Sequence, residues 1–430
     1  MTARPVVWKA GTAVVAVALA ASACSSSGSS SKGSNSAARS TDSSSMSMPM
    51  SMPTSSAPAS SAAAAAGTDA TSTAAATLRA GLDELFREHV NLTGFAVQTA
   101  VTSGLGSANT TQALKALDDN TVAIGQAIGS IYGASAQTAF LKMWRAHIGF
   151  FVTYTKGLAT NDKTMVSTAQ TQLAGYRKDF SNFLGSATGL PAAAISADLQ
   201  GHVQTLETAI RAIVTKSPSA ASDLQMAAMH MDGTADVLAK GIAAQKKLAG
   251  DVDGPASTLR AGLTGLLIQH VAQTAAVVQT AVATSLTSAR TAAAVKALDD
   301  NTVDLGKAIG SVYGASAQTA FLKMWRAHIG FFVTYTKGLA TNDQAMVRTA
   351  QTQLAGYKKD FAAFLGSATG LPATAVADDL QGHITSLETA IQAIVKKDPS
   401  AAAKVSMAES HMAGTGAVLA KGIAAQKHLS

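Results

Sequence analysis

The sequence predicts an all-α protein: two tandem, homologous antiparallel helical bundles of about six helices each, after a disordered N-terminal tether. Three observations support this fold class. From Thr77 onward apolar residues recur every three or four positions, and no segment alternates apolar and polar residues over a useful length. The same region repeats itself at a constant offset of 181 residues. The chain before it is rich in serine, alanine, glycine and proline, a composition that cannot bury a core.

Residues 1–23 have the features of an export signal. Arg4 and Lys9 form a positively charged start, and a short apolar segment and small residues follow. Cys24 is the only cysteine, so the chain has no internal disulfide. Its position after small residues resembles the lipobox of bacterial lipoproteins, in which this cysteine is acylated. The resemblance implies an extracytoplasmic protein anchored to the cell membrane by a lipid; the alternative is ordinary secretion after Ala23.

Residues 24–73 form the predicted tether. Its one unusual feature is the sequence SMSMPMSMP, which places methionines at every second position: Met46, Met48, Met50 and Met52. Thioethers are soft ligands that suit Cu(I). Two interpretations remain open at this stage, a metal-binding segment and a spacer in which methionine is tolerated.

The two repeats are predicted to span residues 74–249 and 255–430, joined by a short linker that contains glycine. The longest identical stretches include FLKMWRAHIGFFVTYTKGLATND, which begins at Phe140 and again at Phe321. Glycine, asparagine and proline breakers divide each repeat into helices. In the first repeat these are predicted near 75–102, 109–131, 135–159, 162–186, 191–215 and 219–247.

Histidine is distributed in the same repeating pattern. Eight of the nine histidines form four pairs at the repeat offset: His89 with His270, His147 with His328, His202 with His383, and His230 with His411. In the first repeat the four lie on the first, third, fifth and sixth predicted helices. Helical spacing from neighbouring apolar residues puts the first three on inward faces and the fourth just off its apolar face. A buried imidazole needs a partner, because an unpaired buried polar group costs about 1–3 kcal/mol.

Four histidines on separate helices of each bundle predict a metal site, with His230 and His411 among the candidate ligands. Bundle cores commonly bind metals through side chains of facing helices, and imidazole is the commonest metal ligand. One helical turn before two of these histidines stand Met143 and Met226, repeated as Met324 and Met407. Their thioethers favour copper among the possible metals. The alternative is a metal-free interaction or scaffold module, in which each histidine bonds to a carbonyl, a serine or a water.

Other functions have little support in the sequence. The formal charge of +7 is spread over many helices without runs of basic and aromatic residues, so nucleic-acid binding is not expected. The repeats lack Glu-x-x-His and His-Glu-x-x-His, the chain has no Cys-x-x-Cys-His, and it has no glycine-rich phosphate loop. The sequence therefore does not predict an enzyme, and it points to no particular protein partner.

The combination of AIGSIYG, FLKMWRAHIGFFVTYTKG and a final helix with HM and VLAKGIAAQ resembles a helical-bundle repeat of exported bacterial proteins. Some of those proteins carry a segment named after copper amine oxidases. The resemblance covers residues 77–247 and 258–428; it implies an exported helical bundle and hints at copper, without oxidase activity. We therefore expect an exported, lipid-anchored protein that binds, buffers or transfers a copper-class metal through histidine and methionine clusters.

Overall fold

A computed structural model describes residues 69–430, and every regular element within this range is a helix. The predicted signal peptide lies outside the described residues. So do the predicted lipidation site and the tether methionines: Cys24, Met46, Met48, Met50 and Met52.

Each half of the described chain contains six long helices, as the sequence predicts. After a 3-10 turn at Ala70–Ser72, the first half comprises α1 Ala74–Ser103, α2 Ala108–Tyr132, α3 Ala134–Ala159, α4 Lys163–Thr188, α5 Ala192–Val214 and α6 Ala220–Lys246. The second half comprises α7 Pro255–Ala283, α8 Ala289–Tyr313, α9 Ala315–Ala340, α10 Gln344–Thr369, α11 Ala373–Val395 and α12 Ala401–Lys427. The predicted all-α fold of two helical bundles is confirmed.

The helix ends follow from local chemistry that is readable in the sequence. Ser107 begins α2, and its hydroxyl accepts a hydrogen bond from the Thr110 backbone N–H at 3.1 Å. Asp162 begins α4 in the same way, with a carboxylate oxygen 2.9 Å from the Met165 backbone nitrogen. At the other end of α4, Gly189 adopts a φ of 76°, which glycine reaches without steric cost. These caps set the short turns that make successive helices antiparallel.

The two halves pack against each other through their first helices, α1 and α7. Arg79 donates from Nη1 to the Thr258 hydroxyl at 2.9 Å, and Arg260 donates from Nη1 to the Thr77 hydroxyl at 3.1 Å. Arg79 corresponds to Arg260 in the other repeat, and Thr77 corresponds to Thr258. The two bonds are therefore equivalent, and the halves are related by a pseudo-two-fold axis. Further along the helices, Gln279 Nε2 lies 3.3 Å from the Thr99 hydroxyl. Because the paired residues advance together, α1 and α7 run parallel.

The packing explains the high hydropathy of α7. This helix is long and apolar enough to cross a membrane, but 78% of its most apolar 18-residue window is buried within the protein. It contacts α1 on one side and the helices of its own bundle on the other. The apolar surface of α7 is therefore the surface of a core helix between two bundles.

A buried ion pair occupies the interface between the halves. The guanidinium of Arg87 (4% exposed) donates from Nε to Asp232 at 2.6 Å and from Nη1 to Gln269 of the second half at 3.2 Å. Asp83, also buried, lies near the same guanidinium; burial raises the pKa of its carboxyl, and the Arg87 charge opposes that rise. Gly265 on α7 makes room for the guanidinium, because a Cβ there would stand 2.8 Å from Arg87 Nε.

Carboxylates form a second polar region at this interface. Glu409 on α12 is 1% exposed, and burial together with the nearby Glu88 raises the pKa of its carboxyl well above the ordinary value. Glu88 accepts hydrogen bonds from Ser406 of the second half and from Asn120. The positions that correspond to Glu88 and Glu409 in the other repeat carry Gln269 and Ala228. The two repeats thus differ in charge where they meet.

Candidate metal centre

Three histidines of the first half converge in the core of the bundle. His89 of α1, His147 of α3 and His202 of α5 each place one ring nitrogen within 4.8 Å of the others. Their side chains are buried, with exposed fractions of 1%, 1% and 3%. The three predicted inward faces therefore meet at one level along the bundle axis. We call this group the first triad.

The second half contains an equivalent cluster, the second triad, formed by His270, His328 and His383. Nε2 of His328 lies 3.4 Å from Nε2 of His270. Metal–imidazole bonds of about 2.0–2.1 Å in tetrahedral geometry place neighbouring ligand nitrogens about 3.3–3.4 Å apart. This pair is thus already at the separation of two ligands on one ion.

Aromatic side chains enclose each triad. Tyr176 stacks on His147 with ring centroids 4.9 Å apart, and Trp144 meets the same ring edge-on at 4.6 Å. Phe151 closes a further side, with its centroid 6.1 Å from that of His147. The second triad has the same enclosure, formed by Trp325, Phe332 and Tyr357. The sequence analysis did not identify Tyr176, although its spacing from Leu173 and Phe180 places it on the inward face of its helix.

Burial keeps these imidazoles neutral. It lowers the pKa of His147 to about 3, and the neighbouring His202 ring adds to the effect. Burial likewise lowers the pKa of His202 to about 3, and that of His89 well below its ordinary value. Neutral imidazole is the form that binds a metal. The first triad therefore presents three unprotonated donors over the physiological pH range.

The triads also carry unsatisfied hydrogen-bonding atoms. Within residues 69–430, both ring nitrogens of His89, of His202 and of His383 are buried and have no hydrogen-bond partner. Each unpaired buried polar group costs about 1–3 kcal/mol. A ligand bound among the rings would offset this cost, because a metal takes one nitrogen from each imidazole.

The depressed pKa values predict a specific acid sensitivity. Below the unfolded pKa of about 6.5 the unfolded state takes up a proton at each histidine, and the folded state does not until its own pKa is reached. The stability of the metal-free protein should therefore fall by up to about 1.4 kcal/mol per pH unit for each buried histidine as the pH drops from about 6.5 toward the folded value. For His202 that folded pKa is about 3. Urea unfolding at several pH values gives the free energy of unfolding as a function of pH. In His202→Leu this free energy should fall less steeply with decreasing pH, by up to about 1.4 kcal/mol per pH unit. The same pH dependence in the variant and the wild type would contradict a buried neutral ring.

The fourth histidine of each repeat does not join its triad. His230 Nε2 lies 3.0 Å from the backbone carbonyl oxygen of Asp198, and the side chain remains 27% exposed. The ring rests on Gly201, where a Cβ would stand 2.5 Å from His230 Cε1. His411 repeats this arrangement, with Nε2 3.0 Å from the Asp379 carbonyl oxygen. In both histidines, one ring nitrogen is thus bonded to the backbone of the neighbouring helix.

The candidate methionines fall into two groups. Met226 and Met407 point outward, with exposed fractions of 54% and 69%. Met143 and Met324 are partly buried and pack against the apolar cores. The outward pair follows from helical phase, since Met226 and His230 share a face that lies off the apolar one. The ligands of the two triads therefore do not include Met226, Met407, His230 or His411.

Comparisons with models of protein families, with curated proteins and with solved structures find no match for this chain.

Proposed function

We propose that the protein binds two transition-metal ions, one in each triad, and that its role is to bind, buffer or transfer this metal. The observation that carries the proposal is the convergence of three buried imidazoles in each half, with one nitrogen of each within 4.8 Å of the others. Three histidine ligands with a fourth position left open are a common arrangement for an exchangeable or reactive metal.

Copper is the metal that the donor set favours. Sites made only of imidazole accept zinc, copper, iron and nickel, and divalent affinities rise to a maximum at copper in the usual order. The preference for copper rests on the nitrogen donors and on this order of metal affinities. It does not rest on Met226 and Met407, because both face solvent. Met143 and Met324 remain the methionines nearest in sequence to a triad histidine, at His147 and His328.

The proposed location is extracytoplasmic. The export signal at residues 1–23 and the lipobox-like setting of Cys24 support attachment to the membrane by a lipid, with secretion as the alternative. In that setting the tether would hold the two metal-binding bundles near the membrane surface. Its four alternating methionines would offer soft ligands for Cu(I) on the way to the bundles.

The competing proposal is a metal-free scaffold in which the triads are internal packing elements. The contact between His270 and His328 and the aromatic stacking around each triad favour it. It leaves the buried ring nitrogens of His89, His202 and His383 without a partner among residues 69–430, at a cost that a bound ion would reduce by taking one nitrogen of each ring.

Metal loading distinguishes the two proposals. The test uses the full chain with Cys24→Ser and with Met46, Met48, Met50 and Met52 each replaced by serine, which removes the sulfur ligands of the N-terminal region. After incubation with excess Cu²⁺ and desalting, elemental analysis should find two copper ions per chain. A copper content near zero would contradict the metal proposal and leave the scaffold.

A further inference from the structure

An apolar pocket of about 350 Å³ lies between α1, α2 and α3 of the first half, beside the first triad. Its walls are mainly aliphatic and aromatic side chains, including Val97, Leu117, Ile148 and Phe151, and His89 also lines it. Leu105 and Val152, which are 39% and 40% exposed, belong to the same lining and mark its opening to solvent.

The second half closes the equivalent pocket to about 30 Å³. Most lining positions keep the same residue type in the two repeats; for example, Leu117 corresponds to Leu298 and Ile148 to Ile329. Three lining positions differ: Ala96 is replaced by Val277 and Gly106 by Thr287, which add volume in the second half, and Leu114 is replaced by the smaller Val295. Val277 is buried and packs in one cluster with Leu298 and Ile329. The fold therefore forms with this space either filled or open.

An open apolar pocket has an energetic cost. Because this pocket opens to solvent, its apolar walls face water instead of packing partners, which costs about 25 cal/mol for each Å² of exposed apolar surface. The second half has the larger Val277 and Thr287 in this region and leaves only about 30 Å³, whereas the first half has Ala96 and Gly106. A bound molecule would restore these contacts in the first half.

We propose that this pocket binds a small, uncharged, apolar molecule of one or two rings through contacts with its apolar walls. A dry cavity of about 150 Å³ accepts benzene, so the larger pocket has room for a two-ring molecule. The hydroxyl of Thr93 already donates to the His89 carbonyl at 2.8 Å, and that of Thr155 to the Phe151 carbonyl at 2.8 Å. The two ring nitrogens of His89 are buried within the protein, so the ligand needs no hydrogen-bonding group for this ring.

The pocket shares His89 with the first triad, so its ligand would lie directly beside the proposed metal. The inference adds a small-molecule site to one half only, and it does not depend on a bound ion. Measurements on metal-free protein therefore test the pocket alone, and the copper content of the same preparation tests the metal proposal separately.

The test is the binding of indole to the full chain in the absence of metal, measured by calorimetry. Wild-type protein should bind one indole, and Ala96→Val should weaken the binding at least about tenfold, because the two added methyl groups enter the pocket at the position that Val277 occupies in the second half. Benzofuran has the same shape without the N–H donor, and it should bind about as tightly as indole, because the proposed contacts are apolar.

Val277→Ala serves as the matched control. It makes the reverse exchange at the equivalent position of the second half, so indole binding to the first half should keep its wild-type affinity. Circular dichroism on Ala96→Val should show an intact fold, since the second half already accommodates valine there. Undetectable indole binding to the wild type at millimolar concentration, or equal affinities of the wild type and Ala96→Val, would overturn the proposal.

Discussion

Replacement of Arg87 with alanine is expected to reduce the free energy of unfolding by about 3–5 kcal/mol, the usual cost of removing one partner of a buried ion pair. The guanidinium is 4% exposed and bonds to Asp232 and to Gln269 across the interface. Without it, the carboxyls of Asp232 and Asp83 would stay at the interface without their cation. The loss is therefore mainly the cost of burying unpaired carboxyl groups.

Arg145→Ala is the matched control for this prediction. Arg145 makes a similar pair of bonds to Asp118, at 2.6 and 2.9 Å, but both side chains are nearly half exposed. Exposed pairs contribute at most about 1 kcal/mol. The free energies of unfolding of the two variants, measured in urea, should differ by at least about 2 kcal/mol. An equal loss of stability in both variants would mean that the interface does not depend on the buried pair.

The helices were predictable because their signals are local. Serine and aspartate caps, the glycine at position 189 and the proline at position 191 lie within one turn of the ends that they determine. The inward phase of His89, His147 and His202 was equally local, since it depends only on the spacing from apolar neighbours.

Helical phase alone could not establish the membership of the triads. It tells which face of a helix a residue occupies, but not its height along the bundle or what the neighbouring helix presents there. His230 illustrates this limit: its ring lies over Gly201 and meets the Asp198 carbonyl, two residues of another helix. The pocket depends on a similar non-local effect, because Ala96 and Val277 matter only through the helices that face them.

The His147→Leu exchange should remove the metal site of the first half and leave that of the second half intact. Leucine has a similar size and no donor atom. The metal-free variant should be about as stable as the wild type or more stable, because the exchange replaces a buried polar ring with an apolar side chain. With copper present the order should reverse, since a ligand at 100 times its dissociation constant adds about 2.7 kcal/mol to stability.

This reversal separates a ligand from a packing residue. If the triad only fills the core, His147→Leu should change stability by the same amount with and without copper. Thermal unfolding of both proteins in both conditions supplies the comparison. A difference between the variants that does not respond to copper would favour the metal-free scaffold.

The most direct test of the central claim is the number of copper ions bound per chain in four variants that also carry the serine substitutions at Cys24 and the tether methionines. Elemental analysis should give one ion for His147→Leu, one for His328→Leu, none for the double variant, and two for His230→Leu, whose ring lies outside the triad. Two ions in the double variant would show that the converging histidines are not the metal ligands. The loss of one ion in His230→Leu, as in His147→Leu, would show the same.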